Sequence, residues 1–81
     1  GAKVLAEPEG AVMLVEGRSA VFISEPVGND IHFRAQAVMV GPALGGLVPI
    51  LKGLEAGMPV VVRGAFLLKA DLGKGGAEHD H

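Results

Sequence analysis

The chain has 81 residues, a formal net charge of −2 and no cysteine, which confines it to one small folding unit and excludes a disulfide framework, a thiolate metal site and a cysteine nucleophile. Its seven Lys and Arg are scattered among nine acids, so no basic face offers itself to a nucleic-acid backbone, and nucleic acid is excluded as a partner. Nearly half the residues are apolar, yet Trp, Tyr and Thr are absent and only three Phe remain, so the core must come from Val, Leu, Ile and Ala, a composition that favours β structure.

Thirteen glycines and five prolines punctuate the chain at intervals that suit many short strands. The opening GAKVLAEPEG has weak periodicity and reads as an entering segment. Ala11 to Glu16 is a short apolar run, Gly17 and Arg18 follow, and Ser19 to Glu25 is a second β-rich run, together a hairpin signal. PVGND at 26–30 gathers turn formers, because Pro presets φ, Gly permits positive φ, and Asn and Asp bond their own backbone. The next strand is expected to start at Ile31. There Ile31, Phe33, Ala35, Ala37 and Met39 alternate with His32, Arg34 and Gln36, the period of a half-buried strand.

GPALGG at 41–46 breaks that strand. LVPILK at 47–52 is β-rich, but Pro49 cannot donate to a ladder, which predicts an edge position or a bulge. After the turn GLEAGMP, VVVRG at 60–64 is valine-rich enough for a short strand buried on both faces. AFLLKADL then shifts to helix formers and predicts one short helix or helical turn. The glycine-rich end is expected to be a disordered tail. The architecture implied is mainly β: a small antiparallel β-roll or barrel of about five to six short strands over residues 1–74, with a flexible His/Asp tail at 75–81. No apolar run reaches the length of a membrane span, and the first residues lack the signature of a signal peptide, so the piece is expected to be soluble as it stands.

Few residues offer chemistry. Ser19 and Ser24 lie on a predicted strand outside any nucleophile-elbow context. LLKADLGKGG lacks the first Gly and the Ser or Thr of a phosphate loop, and GPALGG lacks the dinucleotide-binding order. Glu7, Glu9, Glu16, Glu25, Asp30 and Glu55 fall at strand ends or turns, where a solvated rim is expected rather than an acid–base pair. Met13, Met39 and Met58 lie in or beside apolar stretches and are assigned to core packing before soft-metal ligation. His32, on the polar side of the strand at 31–39, is a weaker metal candidate. The tail supplies Glu78, His79, Asp80 and His81, a nitrogen and oxygen set suited to weak binding of zinc, cobalt, cadmium or nickel. No cofactor is required by anything in the sequence.

From Leu5 to Lys74 the order of residues resembles a family. Its most specific parts are P-x-x-A-V at 8–12 followed by G-x-x-A-V-F at 17–22, and G-L-x-x-G-x-x-V-V-x-x-G-A-F-L-L-K-A-D-L at 53–72. These resemble the C-terminal, membrane-proximal part of the periplasmic adaptor subunits, or membrane fusion proteins, of resistance–nodulation–division efflux pumps, most of all the heavy-metal branch of cobalt–zinc–cadmium type. The resemblance implies a non-catalytic β-roll that packs on the periplasmic face of an inner-membrane, proton-driven pump. It also implies, through the full-length adaptor, an outer-membrane channel, other adaptor protomers and a periplasmic location anchored at the inner membrane. Gly17, Gly53, Gly57 and Gly64 would then let the roll reverse tightly. The chain lacks the helical hairpin, lipoyl-like domain and central barrel of a whole adaptor, so it reads as a fragment or isolated domain, and the resemblance implies that in a whole adaptor a strand from near the N-terminus completes the roll. The alternative is a free-standing periplasmic metal-binding domain that buffers or delivers a cation.

Overall fold

The computed structural model describes residues 4–68. Six strands follow one another: β1 (Leu5–Pro8), β2 (Met13–Val15), β3 (Arg18–Val27), β4 (Asp30–Ala37), β5 (Met39–Val40) and β6 (Leu47–Lys52). They form two antiparallel three-stranded sheets, in the orders β1-β6-β5 and β2-β3-β4. The expected class, a small antiparallel β architecture with a short helical turn near its end, is the one observed. That turn covers residues 65–68 and begins with Leu67 donating to the Gly64 carbonyl at 2.9 Å.

The core lies between the sheets. Val21 and Ile23 of β3 meet Val48 and Ile50 of β6, with Val38 beside them and Leu5, Val12, Val40, Leu54, Met58 and Val60 packed around. Burying each such side chain stabilises the fold by about 1.5–3 kcal/mol. Val38 is the corner where the chain leaves one sheet for the other. Its N–H still bonds the Ser19 carbonyl of the first sheet at 3.0 Å, and the next residue, Met39, pairs with Lys52 in the second.

Several expectations are corrected in detail. The entering segment is the strand β1, paired with β6 from Leu5↔Ile50 to Pro8↔Leu47. Four residues are too few to display a period, and Glu7 occupies one of the two half-buried positions. The first hairpin turns at Glu16 and Gly17, one residue earlier than expected, both with positive φ (53° and 79°). These are the dihedral signs of a type I′ turn, whose twist matches the flanking strands. β3 then runs on through Pro26 and Val27 before the chain turns at Gly28.

Pro49 lies in the central strand of its sheet rather than at an edge. Its carbonyl accepts from the Gly41 N–H at 2.9 Å, so the missing donor points toward the stretch where β5 has already ended. A bulge sits two residues away: Met39 pairs with Lys52 but Val40 with Ile50, leaving Leu51 without a partner. The segment at 60–64 is reduced from a strand to one bridge, Ile23↔Val60. It is held by Ser24 N–H to the Pro59 carbonyl (3.1 Å) and Val61 N–H to the Phe22 carbonyl (2.9 Å). Val62 is already turned to solvent.

Candidate interaction surfaces

The β3–β4 hairpin departs furthest from the sequence pattern. Its register pairs Val21 with Gln36, Ile23 with Arg34 and Glu25 with His32 on one face, and Phe22 with Ala35, Ser24 with Phe33 and Pro26 with Ile31 on the other. Val21 and Ile23 belong to the core, so the polar side of β4 shares the core-facing side of the hairpin. Its alternating apolar side faces outward. Ile31 is 65% exposed and Phe33 49%, and every residue of β4 except Gln36 is exposed. A half-buried strand was the expectation. The alternation is real, but the side of β4 that faces the second sheet carries His32, Arg34 and Gln36, so its apolar side turns away from the core and has little to pack on.

On the core-facing side a polar chain runs along β4. Arg34 Nε pairs with Glu25, Arg34 Nη1 donates to Gln36 Oε1, and Gln36 Nε2 donates to the Gly53 carbonyl at 2.9 Å. His32 stands at the end of this row, opposite Glu25 and exposed. Among the described residues no three His, Asp or Glu converge on a point where a metal could sit. Glu78, His79, Asp80 and His81 lie outside the described residues.

On the outward side Phe22, Ile31, Phe33 and Ala35, with Leu68 of the helical turn, line a shallow open depression. A second, at the junction of the sheets, has Arg18, Ser19, Met39 and Lys52 on its walls. Met39 is 58% exposed there, which corrects its assignment to the core: β5 is two residues long and its partner Lys52 is itself exposed. Met58 is a core neighbour as expected, and Met13 is half-buried. A third apolar surface is the outer side of the β1-β6-β5 sheet, where Val4, Ala6, Leu44, Leu47 and Pro49 meet. Sequence reasoning missed Ile31, Phe33 and Leu44 as surface residues. The signal for Leu44 was present, since it sits between Pro42 and the turn glycines Gly45 and Gly46.

The described residues thus offer shallow apolar and mixed surfaces on a small β scaffold. The chain belongs to the family of the CzcB C-terminal circularly permuted SH3-like domain, whose model matches residues 5–69. It is 40% identical over 79 residues to the nickel and cobalt resistance protein CnrB of Cupriavidus metallidurans, covering 98% of this chain and 19% of that protein. It is 38% identical over 79 residues, with the same shares, to the nickel-cobalt-cadmium resistance protein NccB of Alcaligenes xylosoxydans xylosoxydans. To the cobalt-zinc-cadmium resistance protein CzcB of Cupriavidus metallidurans it is 41% identical over 71 residues, 88% of this chain and 13% of that protein. The chain thus spans a fifth or less of the length of these relatives. No solved structure matches it. Among the described residues no helix is long and apolar enough to cross a membrane.

Proposed function

We propose that this chain is the non-catalytic interaction domain of a periplasmic efflux adaptor, which docks on an inner-membrane, proton-driven pump and so supports export of heavy-metal cations. The observation that carries the reading is the family membership over residues 5–69, together with relatives named for nickel, cobalt, zinc and cadmium resistance. The surface supports it in kind. Ile31, Phe33, Leu44, Leu47, Phe66 and Leu67 are all about half exposed or more, and exposed apolar side chains are what a docking surface offers a partner.

The test uses the intact adaptor that carries this chain. The described part has no cysteine, so single-cysteine variants at His32 and at Leu44, in the loop at 42–46, report docking through cross-links to the purified pump. At least one position is expected to cross-link. Failure of both, and of further positions on every exposed face, sinks the docking role. A free-standing metal carrier would instead show a thermal midpoint that rises with micromolar metal, because a ligand bound to the native state stabilises it by mass action.

A further inference from the structure

The three methionines differ sharply in their surroundings. Met58 packs on the core, and its Sδ accepts from the Glu55 N–H at 3.5 Å. Met13 is half-buried, whereas Met39 is 58% exposed. We propose that Met39 is a site of reversible oxidation to the sulfoxide, with peroxides as the oxidants and anionic peroxy acids as the favoured class. The assignment is independent of pump docking and of metal binding by the tail. Met39 lines the depression at the junction of the two sheets, together with Arg18, Ser19 and Lys52. Directly paired residues project on the same side of a sheet, and Met39 pairs with Lys52. Side chains stand roughly perpendicular to their sheet, so the thioether is reached from this depression and not through the backbone edge of β5 that a further strand would pair with.

The lining carries two positive charges and no carboxylate. The ion pair found among the described residues joins Arg34 to Glu25, so neither Arg18 nor Lys52 is neutralised there by an acid within ion-pair reach. In a chain of net charge −2 the sign of the surface is locally inverted. A concave surface lined by one sign of charge concentrates small ions of the other sign and raises their encounter rate, an effect that salt screens. The same charges repel cations, which makes Met39 a poor soft-metal ligand and a good target for an anionic oxidant.

In the reaction a sulfur lone pair attacks the outer peroxide oxygen. The O–O bond breaks as the S–O bond forms; sulfur loses two electrons and the peroxide gains them. From hydrogen peroxide the second oxygen leaves with the electron pair and, taking up the proton, becomes water. From peroxymonosulfate it leaves as sulfate, and the peroxide proton passes to solvent. The new sulfoxide oxygen is an acceptor placed among donors, since the Arg18 guanidinium, the Lys52 ammonium and the Ser19 hydroxyl share the depression. A sulfoxide disrupts packing where the methionine lies in a core, but Met39 lies outside the core cluster, so the fold survives. Sulfoxide reductases restore the thioether, and the exposure that admits the oxidant admits them too.

The sequence separates the three methionines for mass mapping. Trypsin cuts after Lys3, Arg18, Arg34, Lys52 and Arg63, which places Met13, Met39 and Met58 in the peptides 4–18, 35–52 and 53–63. The intact adaptor is treated with limiting hydrogen peroxide or peroxymonosulfate and then digested. With hydrogen peroxide the 35–52 peptide is expected to gain one oxygen about fivefold faster than 53–63, as exposure dictates. With peroxymonosulfate at low salt that preference should widen about fivefold further and narrow again as salt rises. Arg18→Gln combined with Lys52→Gln should remove the widening and leave the hydrogen peroxide rate unchanged; residues 35–63 then form one peptide, and fragment masses locate the oxygen. An unchanged Met58 rate shows that this variant is folded, and if that rate rises, the two single variants replace it, each losing part of the widening. A methionine sulfoxide reductase should return oxidised 35–52 to its starting mass. Met39 that oxidises no faster than Met13 and Met58 overturns the proposal. So does an anionic preference indifferent to Arg18 and Lys52, or an oxidised Met39 that the reductase leaves unchanged.

Discussion

Gln36 donates its side-chain amide to the Gly53 carbonyl at 2.9 Å, and this bond ties the end of the β3–β4 hairpin to the chain as it leaves β6. The two sheets approach there backbone to backbone. A Cβ built on Gly53 would stand 2.4 Å from the Ala37 carbonyl oxygen and 3.0 Å from the Val38 Cα, and Gly53 itself has φ of 99°. Neither obstacle is the end of a flexible side chain, so neither can move aside cheaply.

Gly53→Ala is therefore expected to destabilise the domain by about 2 kcal/mol or more, through strain and clash together. Gln36→Ala, which removes only the bond, should cost about 1 kcal/mol. Urea unfolding of the two variants gives the comparison, and equal costs would mean that the close approach at Gly53 is not rigid.

Glu16 is the one described non-glycine residue with positive φ. Its side chain is exposed, and the first hairpin turn sets the register of β2 on β3. Glu16→Asn or Glu16→Gly keeps the turn and relieves the left-handed strain, so each should raise stability by roughly 0.5–1 kcal/mol. A fall in the thermal midpoint of both would show that the Glu16 side chain does something in the native state that its exposure conceals.

The order of strands was legible in the sequence because turns are written in local chemistry. Gly17, the group at 26–30 and Gly45–Gly46 each fall at or beside a chain reversal. What could not be read is which side of each strand meets the other sheet. The alternation of Ile31, Phe33 and Ala35 is as regular as that of any buried strand, yet burial depends on what lies opposite, and these residues share the side of the hairpin that faces away from β6. Pro49 misled for a related reason: its missing donor matters only where a neighbour would accept it, and β5 ends before that point. Of the candidate metal ligands, His32 is placed and isolated. Residues 78–81 lie outside what the structure describes.

Ile23→Ala removes a side chain that is 2% exposed at the centre of the core. Such truncations cost about 2–5 kcal/mol, against a total of roughly 4–12 kcal/mol for a chain of 81 residues. Substantial loss of the folded population by circular dichroism at 37 °C is expected. Phe33→Ser, equally apolar in sequence but on the outward side, should cost less than about 1 kcal/mol; a loss as large as that of Ile23→Ala would mean that Phe33 is covered in solution.

Arg34 and Glu25 form a cross-strand ion pair whose side chains are 43% and 42% exposed. A pair so open to water contributes little, roughly 0.2–1 kcal/mol in a double-mutant cycle. The coupling should shrink further between low and high salt as the charges are screened. A coupling several times larger, or one indifferent to salt, would assign the pair a role in fixing the hairpin that its exposure does not suggest.

Glu78, His79, Asp80 and His81 follow three glycines at 73, 75 and 76, so gathering them around one cation would cost backbone entropy of about 1–2 kcal/mol per residue. Two imidazoles and two carboxylates suit zinc, cobalt or nickel chemically. Weak binding is the expected result: the ring resonances of His79 and His81 should move in fast exchange only as metal reaches millimolar concentration, with no rise in the thermal midpoint at micromolar metal. His79→Ala should weaken the metal-dependent shift of the His81 ring, and His81→Ala that of the His79 ring, without altering stability. Rings that stay unmoved at millimolar metal would remove the tail from consideration as a ligand set, and a midpoint that climbs at micromolar metal would favour a dedicated carrier over a docking domain.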